Sequence, residues 1–510
     1  MATVVRGLMR AVRRLIPESR ERRVALGGLV FLLLLGALVR GLFMAAWSPA
    51  FMGWPDAKSY IDVSQTGLFD NPLRPAGYPI FLVALNAIWT NIHFVVVVNH
   101  VLGLATAVIL YATVVRAGGP RWLGLVPAAI VALGGDQMFL EHSVLSETLF
   151  TFLTACGVYA AVRCVAPGGR TLPWAAASGV ALACATTVRV VGMATIVIVC
   201  VWMLFGARGE LRRRAVTGAV AALGALAVLG SYWIAEYSTT GAVGMSRNGD
   251  YHLYGRVAPF ADCTKFTPPR GTEMLCEKTP RSERPITDAY IFSYWHSPAV
   301  RAFGSPFDAT PEASAKVGDF ARAAMFGQPL DYLTEVGAGM LRYVAPESDW
   351  LHSYGGGPGY QALTGKNILL NPNFQSHAID SLQRYYGWHE SDYTKHAGLL
   401  SALRHYERFT RIQGIVFVAL ALASFAGPLL TRGRKRRVAV LMWLVAWCLL
   451  TAPVASLEFS ARTAVPGFGF LGASAALGGF AAARAWRARR ETRGAGGASR
   501  GPGLQPEVAG

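Results

Sequence analysis

"VALGGLVFLLLLGALVRGLFMAA", residues 24–46, is followed almost at once by "PDAKSYIDVSQTGLFDNPLRPAGYP", residues 55–79. The first stretch exceeds the roughly 20 mostly apolar residues that a helix needs to cross a bilayer. It is too long for a signal peptide, and no small-residue cleavage site follows it. Nine more apolar runs recur at 94–115, 122–140, 148–165, 174–190, 192–206, 215–235, 412–430, 438–454 and 464–483. The pattern predicts an all-α polytopic membrane protein with about ten transmembrane helices. The short, nearly continuous pair 174–190 and 192–206 reads as a tight hairpin or as one re-entrant feature.

Composition agrees. Of 510 residues, 53% are hydrophobic and 15% charged, against roughly a quarter charged in soluble domains. The formal net charge of +18 does not mark a nucleic-acid surface, because the basic residues sit in short clusters between apolar runs. That is the pattern of cytoplasmic loops. Arg6, Arg10, Arg13, Arg14, Arg20, Arg22 and Arg23 precede the first run, so residues 1–23 are expected in the cytoplasm. The basic stretches at 116–121, 163–170, 208–214 and 431–437 then alternate correctly. The Gly/Ala/Arg-rich tail, 484–510, also falls inside and is expected to be disordered in its later part. A transmembrane core at 24–235 with a first outer loop at 47–93, an extracytoplasmic mixed domain at 236–411 and closing helices at 412–483 complete the division. "YPIFLVALNAIW", 78–89, is too short to span and reads as an interfacial helix. The expected location is the cytoplasmic (plasma) membrane, with both termini inside.

Five of the seven cysteines (Cys156, Cys164, Cys184, Cys200 and Cys448) lie in or beside apolar runs, where a thiol behaves as a small apolar group. Cys263 and Cys276 sit in the long polar segment without a metal-ligand spacing. If that segment is extracytoplasmic, a disulfide is the better reading.

The chemistry gathers at one side. Asp56 and Lys58 would be an unremarkable solvated pair in a free loop, but this loop is pinned between one spanning helix and one interfacial helix. Pro55, Pro75 and Pro79 restrict it further. A positioned carboxylate there can act as a general base, and a lysine can bind phosphate. In "LEHSVLSETLF", residues 140–150, Glu141, His142 and Glu147 stand at the mouth of a helix. Helix capping accounts for such acids equally well. Arg40, Arg189 and Arg462 interrupt or flank apolar runs. Snorkelling to headgroups is the bland account, and binding a lipid-linked phosphate the functional one. There is no P-loop, GxSxG or HExxH element, and "SYGGGPGY", 353–360, reads as a flexible loop.

The element "PDAKSYIDVSQTG…RPAGYPIFL" resembles the first outer loop of the GT-C superfamily of polyprenyl-phosphate-sugar-dependent glycosyltransferases. Its nearest branches are the protein O-mannosyltransferases and the lipid A aminoarabinose transferases. Asp56 and Tyr60 match the acid and tyrosine of that loop, while Ala57 replaces a second acid. Gly67 and Arg74-Pro75-x-Gly77-Tyr78-Pro79 match closely. Glu147 matches an acid that faces the first-loop acid, and "ARTAVPGFG" resembles the closing Arg-Tyr-x-x-Pro helix with Thr463 in place of the tyrosine.

The resemblance implies an inverting membrane glycosyltransferase. It would move a sugar from a polyprenyl phosphate donor to a hydroxyl of an envelope glycan, lipid or protein on the outer face. Asp56 or Glu147 would be the base. Lys58, Arg74, Arg189, Arg462 and Arg40 would hold the phosphate, with Tyr60, Tyr78, Glu141 and His142 on the acceptor side. No cofactor is called for, and a divalent metal is left open. A lipid-linked-sugar transporter would need charges near the bilayer midplane, and ten spans are excessive for the anchor of an envelope scaffold. Reporter fusions after Pro259 should report the outer side and those after Gly118 the cytoplasm; the reverse signals would remove the common outer face.

Overall fold

The computed structural model describes residues 19–52, 55–165, 170–206, 210–285, 287–344, 380–392, 394–412, 414–457 and 459–498. Residues 1–18 of the basic N-terminus and the glycine-rich stretch 353–360 lie outside the described residues, as does the tail beyond residue 498.

All ten apolar runs form helix. They are α1 (Arg20–Ala46), α4 (Ile92–Ala117), the pair α5 (Leu125–Leu133) and α6 (Gly135–Glu141), α7 (Glu147–Cys164), α8 (Thr171–Val188), α9 (Gly192–Gly206), α10 (Leu211–Thr240), α17 (Gly414–Leu430), α18 (Gly433–Ser456) and α19 (Ala461–Ala498). Six helices are long and apolar enough to cross a membrane on their own, and up to eight spans result if each bent pair counts as one. The chain is an integral multi-pass membrane protein. Three runs account for most of the difference from ten. The run at 122–140 is bent by 53° where Gly134 adopts extended backbone (φ −65°, ψ 122°). The helix α9 is only 15 residues long, and α7 carries Glu147 and Arg163 within its 18 residues. The resulting α8–α9 hairpin turns at Arg189.

Helix ends follow local chemistry. Ser19 accepts from the Arg22 amide to open α1, and Asn91 accepts from the His93 amide to open α4. Gly118 closes α4 at φ +88°, a conformation that glycine adopts without steric cost.

The first outer loop is not a loop. Residues Pro55–Thr66 form α2 and Gly77–Ile88 form α3. Between them the Pro/Gly-rich turn is clamped from the long segment: the Asn248 amide donates to the Pro72 carbonyl at 3.1 Å, and Arg247 donates to the Phe69 carbonyl at 2.6 Å. That segment is helical where it is described. It contains α11 (Asp250–Val257), α12 (Thr287–Phe292), α13 (Pro298–Phe303), α14 (Pro311–Gly327), α15 (Pro329–Leu341) and α16 (Ala397–Thr410). Its only sheet pairing among the described residues is β2 (Thr394–Lys395), antiparallel to β1 (Trp47–Ser48). In its described residues the expected mixed domain is a mainly helical lobe with the short strand β2.

The lobe has its own core of Tyr251, Tyr254, Phe260, Tyr290, Val317 and Phe320, separate from the core of the helix bundle. It stands on the end of α18, where Tyr332 donates to the Ala455 carbonyl and Tyr343 to the Leu450 carbonyl, each at 3.0 Å.

Cys263 and Cys276 form the disulfide expected from the sequence, 13 positions apart. Closing a loop of that size constrains the unfolded lobe by about 2–3 kcal/mol in the chain-entropy model. Thiol mapping of non-reduced protein should find both sulfurs protected, and the Cys263→Ser/Cys276→Ser variant should lose protease resistance in the lobe first.

Candidate active site

Four helix ends meet at one end of the bundle. Asp56 lies in the first turn of α2 and Glu147 in the first turn of α7. Arg462 lies in the first turn of α19, and Arg189 directly follows α8. Arg74 joins them from the turn between α2 and α3. Acids at helix N-termini are favoured by the macrodipole, but here those acids also meet cations from distant segments.

One oxygen of Asp56 pairs with Arg74 and the other accepts from Arg462 Nη2 at 2.6 Å. Glu147 Oε1 accepts from Arg189 Nη1 at 2.6 Å and lies 3.5 Å from Arg462 Nε. Arg462 thus bridges the two carboxylates. Tyr60 donates to Ser146 Oγ at 3.1 Å, and Arg189 donates to the same oxygen at 3.1 Å. The Arg74 guanidinium lies over the Tyr60 ring, 5.5 Å from its centroid, and the Tyr78 ring stands edge-on to Tyr60 at 4.9 Å. Among the described residues, buried atoms here without a hydrogen-bond partner include Glu147 Oε2, Arg74 Nη1 and Tyr78 Oη.

Gly77 explains part of the Arg-Pro-x-Gly-Tyr-Pro spacing. A Cβ there would lie 2.4 Å from the Thr187 carbonyl oxygen, so only glycine lets α3 close on the end of α8 beside Arg189. The Ala76 amide is held by the Tyr232 hydroxyl at 3.0 Å, which fixes the same corner from α10.

Burial pushes the Asp56 carboxyl upward, but Arg462 and Arg74 outweigh it and hold the group well below the usual carboxylate range. Burial, aided by the Asp56 charge, pushes the Tyr60 phenol up, which keeps it a hydrogen-bond donor. His252 of α11 is a neighbour of the cluster that the sequence did not reveal. Burial and then the Arg74 charge push it down to about 4 against the pull of Asp56, so it is a neutral imidazole at the edge of the cluster. It comes from the lobe, which has no motif that could have pointed to it.

The remaining residues that the sequence groups with this site lie elsewhere. Lys58 pairs with Asp62 one helical turn along α2, and Asp62 also accepts from Ser381 at 2.5 Å. Arg40 and Glu141 form a second, deeply buried assembly. Arg40 grips Glu141 through Nε at 2.7 Å and Nη2 at 2.8 Å, and its Nη1 donates to the Ala132 carbonyl at 2.6 Å. Glu141 also contacts His100 Nδ1 and Gln137 Nε2, both at 3.0 Å. His142 Nε2 meets the Trp47 carbonyl at 2.9 Å, and its Nδ1 faces His100. Arg40, Glu141 and His142 therefore brace the α1–α4–α6 contact and do not touch the Asp56 cluster. Among the described residues no group of three or more His, Cys, Asp or Glu is placed to hold a metal ion.

A family model described as dolichyl-phosphate-mannose-protein mannosyltransferase matches residues 89–240. The chain resembles the GT-C glycosyltransferases. The matched region is less than half of the chain. It holds Glu147 and Arg189, whereas the first-loop resemblance lies before it, so the two likenesses are carried by different residues.

Among solved structures, the chain is similar to the S. cerevisiae protein O-mannosyltransferase complex bound to the sugar donor. The identity is 15% over 45% of this chain and 36% of that one, with a TM-score of 0.33. It is also similar to the apo oligosaccharyltransferase of Archaeoglobus fulgidus (11%, 95% and 53%, TM-score 0.44). A third is ArnT from Cupriavidus metallidurans bound to undecaprenyl phosphate (14%, 89% and 77%, TM-score 0.34). The chain spans about a third to a half of the length of the first two. At these scores the likeness places no individual residue. No curated protein sequence matches the chain.

Removing one side of a buried ion pair costs about 3–5 kcal/mol, because the other charge is left uncompensated. Glu141→Gln should therefore lower the unfolding temperature markedly while the turnover of the surviving folded molecules stays near normal. A folded, stable and inactive Glu141→Gln protein would put the Arg40 assembly back in the active site.

Proposed function

We propose that the chain is an inverting membrane glycosyltransferase that takes a sugar from a polyprenyl phosphate donor and passes it to an acceptor hydroxyl on the outer face of the membrane. The observation that carries this reading is the charge of the helix-end cluster. Three guanidinium groups (Arg74, Arg189 and Arg462) face two carboxylates (Asp56 and Glu147), which leaves one formal positive charge. The N-termini of three helices add partial positive charge. A sugar–phosphate–polyprenol diester carries one negative charge, so it neutralises the surplus. Burial makes that neutralisation worth more than it would be in water.

The cluster also provides a way to time the chemistry. While Arg74 and Arg462 both hold Asp56, its carboxylate is a weak base. An arriving phosphate competes for those two guanidinium groups, loosens their grip and restores the basicity of Asp56 when a donor is in place. Asp56 then accepts the acceptor hydroxyl proton. The freed oxygen attacks the anomeric carbon, the bond to the phosphate oxygen breaks in line, and the polyprenyl phosphate leaves with its new charge on Arg189 and Arg462. Glu147 orients Arg189 and Arg462, and its unpaired Oε2 accepts from a hydroxyl of the sugar or acceptor.

The test is single-turnover transfer at saturating donor, with donor binding measured separately. Asp56→Asn keeps the shape but loses the proton acceptor, so transfer should fall by about 10²–10⁴-fold with donor still bound. Arg189→Ala and Arg462→Ala should each cost on the order of 10²-fold. A dead Glu147→Gln beside a normal Asp56→Asn would exchange the roles of the acids. Full activity in both would remove this cluster from the chemistry.

A further inference from the structure

The helix α15 carries an outward face that water alone would not favour. Leu330, Leu333, Thr334, Gly337, Ala338 and Leu341 are its exposed residues over Pro329–Leu341, apart from Pro329 at its start. At about 100° per residue they fall within one arc of about 140° on the helix. Leu330 is 78% exposed, Leu333 60% and Leu341 68%, and Phe326 at the end of α14 adds a fourth large apolar side chain at 75%. No charge interrupts the arc. The only two charged residues of the helix, Asp331 and Glu335, lie on one flank and are turned to Lys265 and Arg281 of the lobe. Surface helices of soluble lobes place their ionic residues on the outward face; here they are kept off it.

The opposite face fixes where this stripe lies. Gly339 closes on Val454, to within 2.5 Å of a Cβ placed there, and Tyr332 donates to the Ala455 carbonyl at 3.0 Å. Both partners belong to the last turn of the spanning helix α18. The exposed stripe thus lies beside the end of a helix long and apolar enough to cross a membrane.

We propose that α15 is an interfacial membrane anchor whose Phe326–Leu330–Leu333–Leu341 stripe is seated in the bilayer surface. A helix of 13 residues, about 20 Å long, lies flat there and holds the lobe, with His252 and the 247–248 clamp on the first loop, at a set height over the bilayer. This inference rests on the helices being membrane spans and is independent of the chemistry assigned to the Asp56 cluster.

The experiment uses the full chain in phosphatidylcholine/phosphatidylglycerol vesicles. Cys156, Cys164, Cys184, Cys200 and Cys448 are replaced by alanine, and the Cys263–Cys276 bridge is kept. A nitroxide is attached through a single new cysteine at Leu330, Leu333 or Leu341, with Asp308 of the lobe surface as control. Collision with oxygen should exceed collision with a water-soluble nickel chelate several-fold at the three leucine positions and reverse at Asp308. Free access of the chelate at all three would place the stripe in water. Exclusion of both reagents would mean that protein covers it, either residues 345–379 of this chain or a second copy. Either result overturns the proposal. On the unmodified chain, a photoactivated lipid-tail probe should label the 329–341 peptide; absence of label there, with α18 labelled, would also overturn it.

Discussion

The carboxylate of Asp56 is shared by two guanidinium groups that reach it from opposite ends of the chain, Arg74 from 18 residues away and Arg462 from 406. No local structure could bring them together. The first requires the Pro/Gly-rich turn to fold back over α2, and the second requires the last helix to start beside the first outer segment. Each demand propagates. The turn is clamped by Arg247 and Asn248 from the segment that follows α10, and the start of α19 is set by the short link from α18, on which the lobe stands. Satisfying one buried carboxylate thus ties together the first loop, the lobe and the closing helices.

The arrangement is expensive. Taking carboxylates and guanidinium groups out of water costs several kcal/mol per ion, and mutual attraction offsets that cost only with good geometry. An apolar packing of equal volume would be at least as stable, so stability alone does not account for the cluster. The three-to-two imbalance makes this sharper, since three guanidinium groups share only two carboxylates among them. Such an imbalance is a state that the binding of an anion relieves, which is how a site can be costly to the empty protein and favourable to the occupied one.

The helical runs were legible because span length and apolarity are local properties, and so was the Cys263–Cys276 pairing. Asp56, Glu147, Arg189, Arg74 and Arg462, which the sequence groups by motif and by the expense of charge near a membrane, do meet in the structure. Where the structure places a residue apart from that group, the reason is physical. Lys58 sits four residues before Asp62 once 55–66 becomes helical, and an i,i+4 partner outcompetes a neighbour two positions back, which points to another face. Arg40 resembled a phosphate ligand because its partner, Glu141, lies 101 residues away. His252 gave no signal at all, because burial beside Arg74 is created only by the docking of the lobe.

The two acids that the sequence set side by side, Glu141 and Glu147, show what separates scaffold from site. Both are almost completely buried, both face arginine, and both border the same short turn. Glu141 has no capacity left: its two oxygens take Arg40 twice, His100 and Gln137, and the missing Cβ of Gly103 leaves the room its carboxylate occupies, since a Cβ there would meet Oε1 at 1.7 Å. Glu147 is filled on one oxygen only, and the other is buried without a partner. A buried carboxylate oxygen left open costs about 1–3 kcal/mol or more, a cost that persists only where something else meets it in the working state. Unfilled bonding capacity, more than residue type, burial or charge, is what sets Glu147 apart from Glu141, and it supports the ligand-facing role proposed for it.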